Sequence, residues 1–199
     1  MLTIRYSRPP KASAELGRWL KKRNDSACGP LLMSIVQTLA LLILLCCPPD
    51  LQADTPLPPP KRHEVESPSK NYLATFDPKT GVTVRAAGSG KTVWKAPKIW
   101  SRKAFLADDG EHFVTGYDGL NLIPVNYTRD LVLITFWHRG EKIRDVTVGE
   151  LFPDTKVLVR TVSHYHWGGI QGITDRTLTV RRCDKKEVRF DITTGKVKE

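Results

Sequence analysis

The sequence has few cysteines, no helical periodicity beyond its first quarter and only one long uncharged hydrophobic run. Cys28, Cys46 and Cys47 all precede residue 48, which leaves Cys183 as the one cysteine downstream. A single cysteine cannot form a disulfide within that downstream part, so its stability must come from a hydrophobic core. Without a 3.6-residue apolar period, this core is not that of a helical bundle.

Motifs that identify an enzyme or a cofactor site are also absent, since there is no HExxH, no paired-cysteine motif and no GxSxG. Gly88 to Thr92 resembles the end of a phosphate-binding loop. However, Arg85 stands where the first glycine of that loop is required, and the residues that follow are strand-like rather than helical. We therefore interpret this stretch as a hairpin turn, and we expect no nucleotide and no cofactor.

Blocks of a single charge are absent as well. The chain has 31 basic and 21 acidic residues and a net charge of +10. Beyond the first 53 residues the two signs are interspersed, whereas a nucleic-acid-binding protein shows a concentrated basic patch or stripe in its sequence. We therefore expect no nucleic-acid partner.

The one hydrophobic run spans residues 31–47 and reads LLMSIVQTLALLILLCC, with Arg18, Lys21, Lys22 and Arg23 upstream of it. A basic flank, an apolar run and a small residue at a plausible cleavage point, here Ala53, are typical of a secretory signal. Seventeen residues also suffice for an uncleaved anchor, since a span needs about 17–25. We predict that residues 1–53 are a signal peptide or a membrane anchor, with a lipid-modified cysteine and a core helix as lesser alternatives. The protein is then exported to the periplasm, the cell envelope or the medium, or stays anchored through residues 31–47.

Residues 54–70 contain four prolines within their first seven positions and few apolar side chains, which predicts an extended tether. From residue 71 to the end at residue 199, turn signals recur at short spacing, among them Asp109-Gly110, Arg139-Gly140 and Thr194-Gly195. This recurrence predicts an all-β domain of antiparallel hairpins over residues 71–199.

Strand-like runs lie between these turns. Residues 131–137 are β-branched or aromatic and predict a buried central strand, and residues 156–162 are another candidate strand. Apolar residues alternate with polar ones around Leu178 and again around Phe190, which predicts a hairpin with one face in the core. Residues 149–153 can hold one helical turn at most.

Three segments share a pattern of strand, turn and strand: YLATFDPKTG at 72–81, FLADDGEHFV at 105–114 and FDITTGKV at 190–197. They resemble parts of the blades of WD40-like β-propellers. The resemblance implies a protein-binding module. About 130 residues supply roughly three blades, whereas closed propellers have about four to eight. The resemblance therefore implies a partial propeller-like arrangement, and a small sandwich or barrel would satisfy the same hairpins.

The sequence's most unusual stretch is Ser163-His-Tyr-His-Trp-Gly-Gly169. On a strand, His164 and His166 project from the same face, a spacing that can share a metal ion. Zinc requires further ligands, which the sequence spacing does not select. The structural interpretation is that the histidines end a strand and that Trp167 packs at a glycine turn. Cys183, which has basic neighbours, is a weaker candidate for a reactive thiol.

Two functional hypotheses follow from the sequence. The favoured one is an exported or membrane-tethered β-rich binding module without catalysis, whose partner is an unknown protein or a component of the envelope. The alternative is an extracytoplasmic metal-binding or hydrolytic protein that uses His164 and His166.

Overall fold

The computed structural model describes residues 56–198. The predicted export segment, residues 1–53, lies outside these described residues. Residues 56–198 form β-strands joined by short turns, together with one short α-helix and one 3-10 helix at Thr155–Val157. The strands and the helix are β1 His63–Glu66, β2 Tyr72–Asp77, β3 Gly81–Ala86, β4 Thr92–Ala96, β5 Ala104–Leu106, β6 His112–Gly116, β7 Leu122–Pro124, β8 Val132–His138, β9 Glu141–Thr147, α1 Val148–Leu151, β10 Val159–Arg160, β11 His164–His166, β12 Gly168–Thr174, β13 Thr177–Arg182 and β14 Glu187–Asp191.

The strands form antiparallel sheets, which confirms the predicted all-β class. The first sheet has the order β1-β2-β3-β4, the second β5-β6-β8-β9 and the third β12-β13-β14, and a small sheet has the order β10-β11-β7. Strand β5 contacts both β1 and β12, so the first strands of the three larger sheets lie side by side. The second sheet is therefore the middle layer of a three-sheet stack.

The second sheet is buried on both faces. On β6, Phe113 faces the first sheet and Val114 faces the third, because successive side chains of a strand point to opposite sides. On β8, Trp137 pairs with Phe113, and Phe136 pairs with Val114. This arrangement confirms the buried central strand predicted at 131–137, which the structure places one residue later, at Val132–His138.

Aromatic rings fill the space between the first and second sheets. The Phe113 ring stacks on Trp94 at 5.5 Å and on Trp137 at 5.8 Å between centroids. Trp100 is half-buried, and its Nε1 donates to the carbonyl of Lys61 at 3.1 Å. Trp94 and Trp137 are thus part of the core packing.

The two outer faces of the stack are polar. On each outer sheet, the side chains that point away from the core line up with those of the neighbouring strands and form cross-strand rows. Packing against a further sheet would require an apolar face, so these two faces end the stack. On the first sheet the rows are Glu64, Thr75, Thr83 and Lys95, and Glu66, Leu73, Arg85 and Thr92; on the third sheet they are Gly169, Arg181 and Glu187, and Gly172, Thr179 and Arg189.

Several local predictions are confirmed. Gly88 and its neighbours form the turn between β3 and β4, in which the Gly90 N–H donates to the Ala86 carbonyl at 2.8 Å. Leu178 and Phe190 are buried partners on β13 and β14. The short helix α1, Val148–Leu151, overlaps the stretch 149–153 that was expected to hold one turn and begins one residue before it. A capping box begins this helix, in which Thr147 accepts from the backbone N–H of Glu150, and the Glu150 side chain accepts from that of Thr147.

Two segments differ from the sequence-based prediction. Residues 156–162 do not form one strand, because Asp154 accepts from the backbone N–H of Lys156 at 3.0 Å and starts a 3-10 turn. Only the two-residue β10 follows, and Val162 is 91% exposed. Strand β1 lies inside the segment 54–70 that we predict to be a tether. Its alternating residues pair with β2, with Val65 half-buried against the core.

Candidate functional site

A cleft of about 600 Å³ opens at one end of the second and third sheets, and we call it the basic cleft. It lies where β5 begins and β6 ends, beside the point where β12 begins and β13 ends. Antiparallel pairing brings these ends together: the Gly116 N–H donates to the Lys103 carbonyl at 2.8 Å, and Gly168 pairs with Arg182. Its volume is in the range of about 300–1,000 Å³ that is usual for ligand sites.

Trp167 holds the two sides of the basic cleft together. Its side chain is 2% exposed, and its Nε1 donates to the Leu120 carbonyl at 2.8 Å. Its backbone N–H donates to Asn121, and its carbonyl accepts from the backbone N–H of Cys183. The loop that follows β6 and the turn that follows β13 are therefore both bonded to this one buried residue. The sequence interpretation placed Trp167 at a glycine turn, whereas Gly168 and Gly169 begin strand β12.

Two consecutive glycines begin β12 and serve different purposes. Gly168 has φ +117, and a Cβ there would lie 2.2 Å from the Arg181 carbonyl oxygen, so only glycine fits. At Gly169 a Cβ would meet nothing within 4 Å. Gly169 therefore leaves open space at the wall of the cleft rather than relieving a clash.

The lining of the basic cleft contains four Lys and Arg side chains and no carboxylate: Lys103, Arg181, Arg182 and Lys185. Arg182 is compensated, because one of its terminal nitrogens lies 2.9 Å from Asp184 Oδ2. For the other three, no ion pair is formed with any residue of the described part of the chain. The cleft therefore carries an excess of positive charge.

Two groups near the cleft, Glu187 and Tyr117, are nearby sources of negative charge that would offset these cations. Glu187 lies opposite Arg181 on β14, but its Oε2 is 3.9 Å from Arg189. Burial, followed by the nearby charge of Asp118, raises the pKa of the Tyr117 phenol. Tyr117 therefore presents a neutral hydroxyl group to the cleft at neutral pH, and the excess positive charge remains.

The structure places the predicted histidine pair at the edge of this site. His164 and His166 lie on β11, and His166 lines the basic cleft. A hydrogen bond of 2.8 Å joins Ser163 Oγ and His164 Nδ1. Among residues 56–198 there is no group of three or more His, Cys, Asp or Glu side chains that could hold a metal ion. The metal site at His164 and His166 stays a prediction.

Two other histidines come together elsewhere, on the second sheet. His112 and His138 are opposite one another on β6 and β8, with ring centroids 4.7 Å apart. His112 Nδ1 lies 2.7 Å from Asp109 Oδ2, and His138 Nε2 lies 3.3 Å from Glu111 Oε2. Each ring thus has its own carboxylate partner, and neither joins the pair on β11.

Cys183 also lines the basic cleft. Its Sγ donates to the Val157 carbonyl at 3.2 Å, and its side chain packs against the core between the second and third sheets. The basic neighbours of Cys183 are evident in the sequence, whereas the cleft is not. Lys103 is about 80 positions away from Arg181 and Lys185 in the sequence, and only the stacking of two sheets brings them to one opening.

No family model matches the chain, and no curated protein is detectably similar to it. Among solved structures, the WD40 repeats of RRP9 are similar, with a TM-score of 0.38 and 11% identity over 68% of this chain. U3-55K gives a TM-score of 0.37 and 11% identity over the same share. The chain covers 36% and 37% of these structures, respectively. WD40 repeats, which the sequence segments resemble, are thus among the solved structures that are similar to this chain.

Within residues 56–198, no helix is both long and apolar enough to cross a membrane.

Proposed function

We propose that this protein is an exported or membrane-tethered binding module without catalytic activity of its own, and that it holds a segment of a protein partner in the basic cleft. The observation that carries the proposal is the cleft itself: a concave opening between two packed sheets, fixed by the buried Trp167 and left open at Gly169. Rigid sheets that position an open, donor-rich cleft are suited to binding a partner with little rearrangement.

The chemistry of the lining supports binding. Leu120 and Ile170 supply apolar surface, while Tyr117, Asn121 and the basic side chains supply hydrogen-bond donors. Ligand sites combine these two kinds of surface, with apolar area for affinity and a few polar groups for orientation. A chain segment with alternating apolar and polar side chains would satisfy both.

The export part of the proposal rests on the apolar run at 31–47 and its basic flank. Mass spectrometry of the mature N-terminus, on protein purified from its native host, tests it. We expect either a chain that begins at residue 54 or an intact chain in the membrane fraction. An intact chain that fractionates with the cytosol would contradict export.

The binding part can be tested with a photo-reactive phenylalanine placed at Lys185, an exposed residue of the cleft, and at Lys91 as the control. Lys91 is equally exposed but lies in the turn after β3. We expect one discrete protein adduct in native cells from position 185 and none from position 91. No adduct from position 185, or the same adduct from both positions, would contradict the proposal.

A further inference from the structure

We propose that the segment held in the basic cleft is acidic, an extended peptide whose Asp or Glu carboxylates contact Lys103, Arg181 and Lys185. This inference rests on the proposed function and adds the class of partner. It follows from charge complementarity: these three cations line one opening that has no carboxylate among its lining residues. Like charges brought together in a cleft repel one another, and an anionic ligand relieves that repulsion.

The arginine side chains of the cleft are suited to binding carboxylates. Arg181 is exposed on the outer face of β13, and its planar guanidinium can donate two parallel hydrogen bonds to one carboxylate. Arg182 is held in place beneath it by Asp184 and by the Phe152 ring, which lies 4.7 Å from its guanidinium carbon. Arg182 is thus neutralised within the fold, and Lys103, Arg181 and Lys185 carry the excess charge of the cleft.

A peptide fits the cleft better than a nucleic acid does. Binding of single strands relies on exposed aromatic faces on which bases stack. In this cleft, Trp167 is 2% exposed and Tyr117 packs against the core cluster, so neither presents an open ring face.

Gly169 offers a direct test, because it pairs with Arg181 across β12 and β13 and has open space where a side chain would project. In Gly169→Asp, the new carboxylate stands beside Arg181 and occupies the position of the ligand's own carboxylate. Gly169→Asn has the same size without the charge. Gly88→Asp is the matched control, since a Cβ at Gly88 also meets nothing within 4 Å and that turn lies between β3 and β4.

The probe is a fluorescent peptide with a run of glutamates, and fluorescence anisotropy measures its binding to the full chain at low and at physiological salt. We expect binding that weakens as salt rises. Gly169→Asp should weaken it roughly tenfold, because a cancelled charge contact is worth on the order of one decade in affinity. Gly169→Asn should lose less than Gly169→Asp, and Gly88→Asp should bind like the wild type. Circular dichroism shows that each variant is folded.

Three outcomes would overturn the inference: no binding of the glutamate peptide, equal binding of a neutral peptide of the same length, or tighter binding of a single-stranded oligonucleotide that Gly169→Asp also abolishes. Equal losses in Gly169→Asp and Gly169→Asn would show occlusion rather than charge recognition and would overturn it as well. If position 185 gives an adduct but the glutamate peptide does not bind, the proposal of an acidic ligand is refuted, while the proposed binding function is retained. Failure of both experiments would refute both.

Discussion

At the scale of single residues, the histidine pair on β11 separates the two functional hypotheses. His164 and His166 supply two imidazoles, and a structural zinc site needs about four ligands. Because the described residues bring no third ligand to the pair, we expect the purified chain to contain no stoichiometric zinc, and His164→Ala to leave the metal content unchanged. Elemental analysis by mass spectrometry measures this. One zinc per chain, lost in His164→Ala but kept in the control His112→Ala, would instead support the metal-binding alternative.

The carboxylate of Asp109 makes stability depend on pH. Burial alone would raise its pKa, but hydrogen bonds from the backbone N–H groups of His112 and Glu111, and from the His112 ring, lower the pKa below its ordinary value. A lowered pKa in the folded state stabilises the fold above the pKa of the unfolded chain, about 3.9, and this contribution is lost as pH falls below it.

We therefore expect Asp109→Asn to lower the free energy of unfolding at neutral pH, and the difference from the wild type to shrink as pH falls below about 4. Urea denaturation at several pH values measures it. Glu141→Gln, which changes an exposed carboxylate at the start of β9, is the control and should have little effect. If the difference in the free energy of unfolding stays constant down to strongly acidic pH, the charge of Asp109 contributes nothing to stability.

Part of the site could be predicted from unusual residue types in the sequence. Trp167 beside two glycines, and His166 in a strand, were visible because unusual residues stand next to one another. The basic residues of the cleft could not be predicted as a group, since Lys103 and Arg181 are ordinary surface residues in their own segments. Their significance arises from the lack of carboxylates around one opening, and no local pattern encodes that.

At the scale of elements, hairpins were predictable where alternation and turn chemistry agreed. The pair β13 and β14 has Leu178 and Phe190 on the core face with polar residues between them. Residues 156–162 are also rich in β-branched residues, yet the side chain of Asp154 starts a 3-10 turn that competes with the strand. Strand β1 was not predicted, because the prolines before it indicated an extended tether. Its position depends on pairing with β2.

The turn between β8 and β9 shows how elements constrain one another across sheets. Gly140 has φ +90, and a Cβ there would lie 2.1 Å from the Cβ of Ala96 on β4. Gly140→Ala should destabilise the fold by roughly 3 kcal/mol, because backbone strain and a clash between the first and second sheets add together.

The matched control is Gly90→Ala, in the turn between β3 and β4. Gly90 has φ +67 but open space around its Cβ, so only strain of about 1 kcal/mol applies. Thermal and urea denaturation compare the two variants. Equal destabilisation by both would contradict the close packing of the β8–β9 turn on β4.

At the scale of the whole molecule, the sequence indicated about three blade-like units but not how they are arranged. The decisive feature is the second sheet, which is apolar on both faces, while the outer sheets have one polar face each. That difference is spread over the strands of three sheets and becomes apparent only once the register is known.

Because the two outer faces are polar, we predict that the sheets of this chain do not pack on the sheets of further copies. We expect light scattering of the chain from its native host, in detergent when it remains anchored, to give the mass of one protomer. A stable dimer or trimer, dissociated by charge reversal at Arg85 or Arg189 on the outer faces, would contradict this prediction.

The central claim is that the basic cleft is the surface that contacts the ligand. The most direct measurement is nuclear magnetic resonance of the isotope-labelled full chain titrated with the glutamate peptide. The account predicts shifts in the backbone amides of residues 116–121, 167–171 and 181–185, with the first sheet unchanged. Shifts confined to the outer face of the first sheet, or no shifts at all, would contradict it.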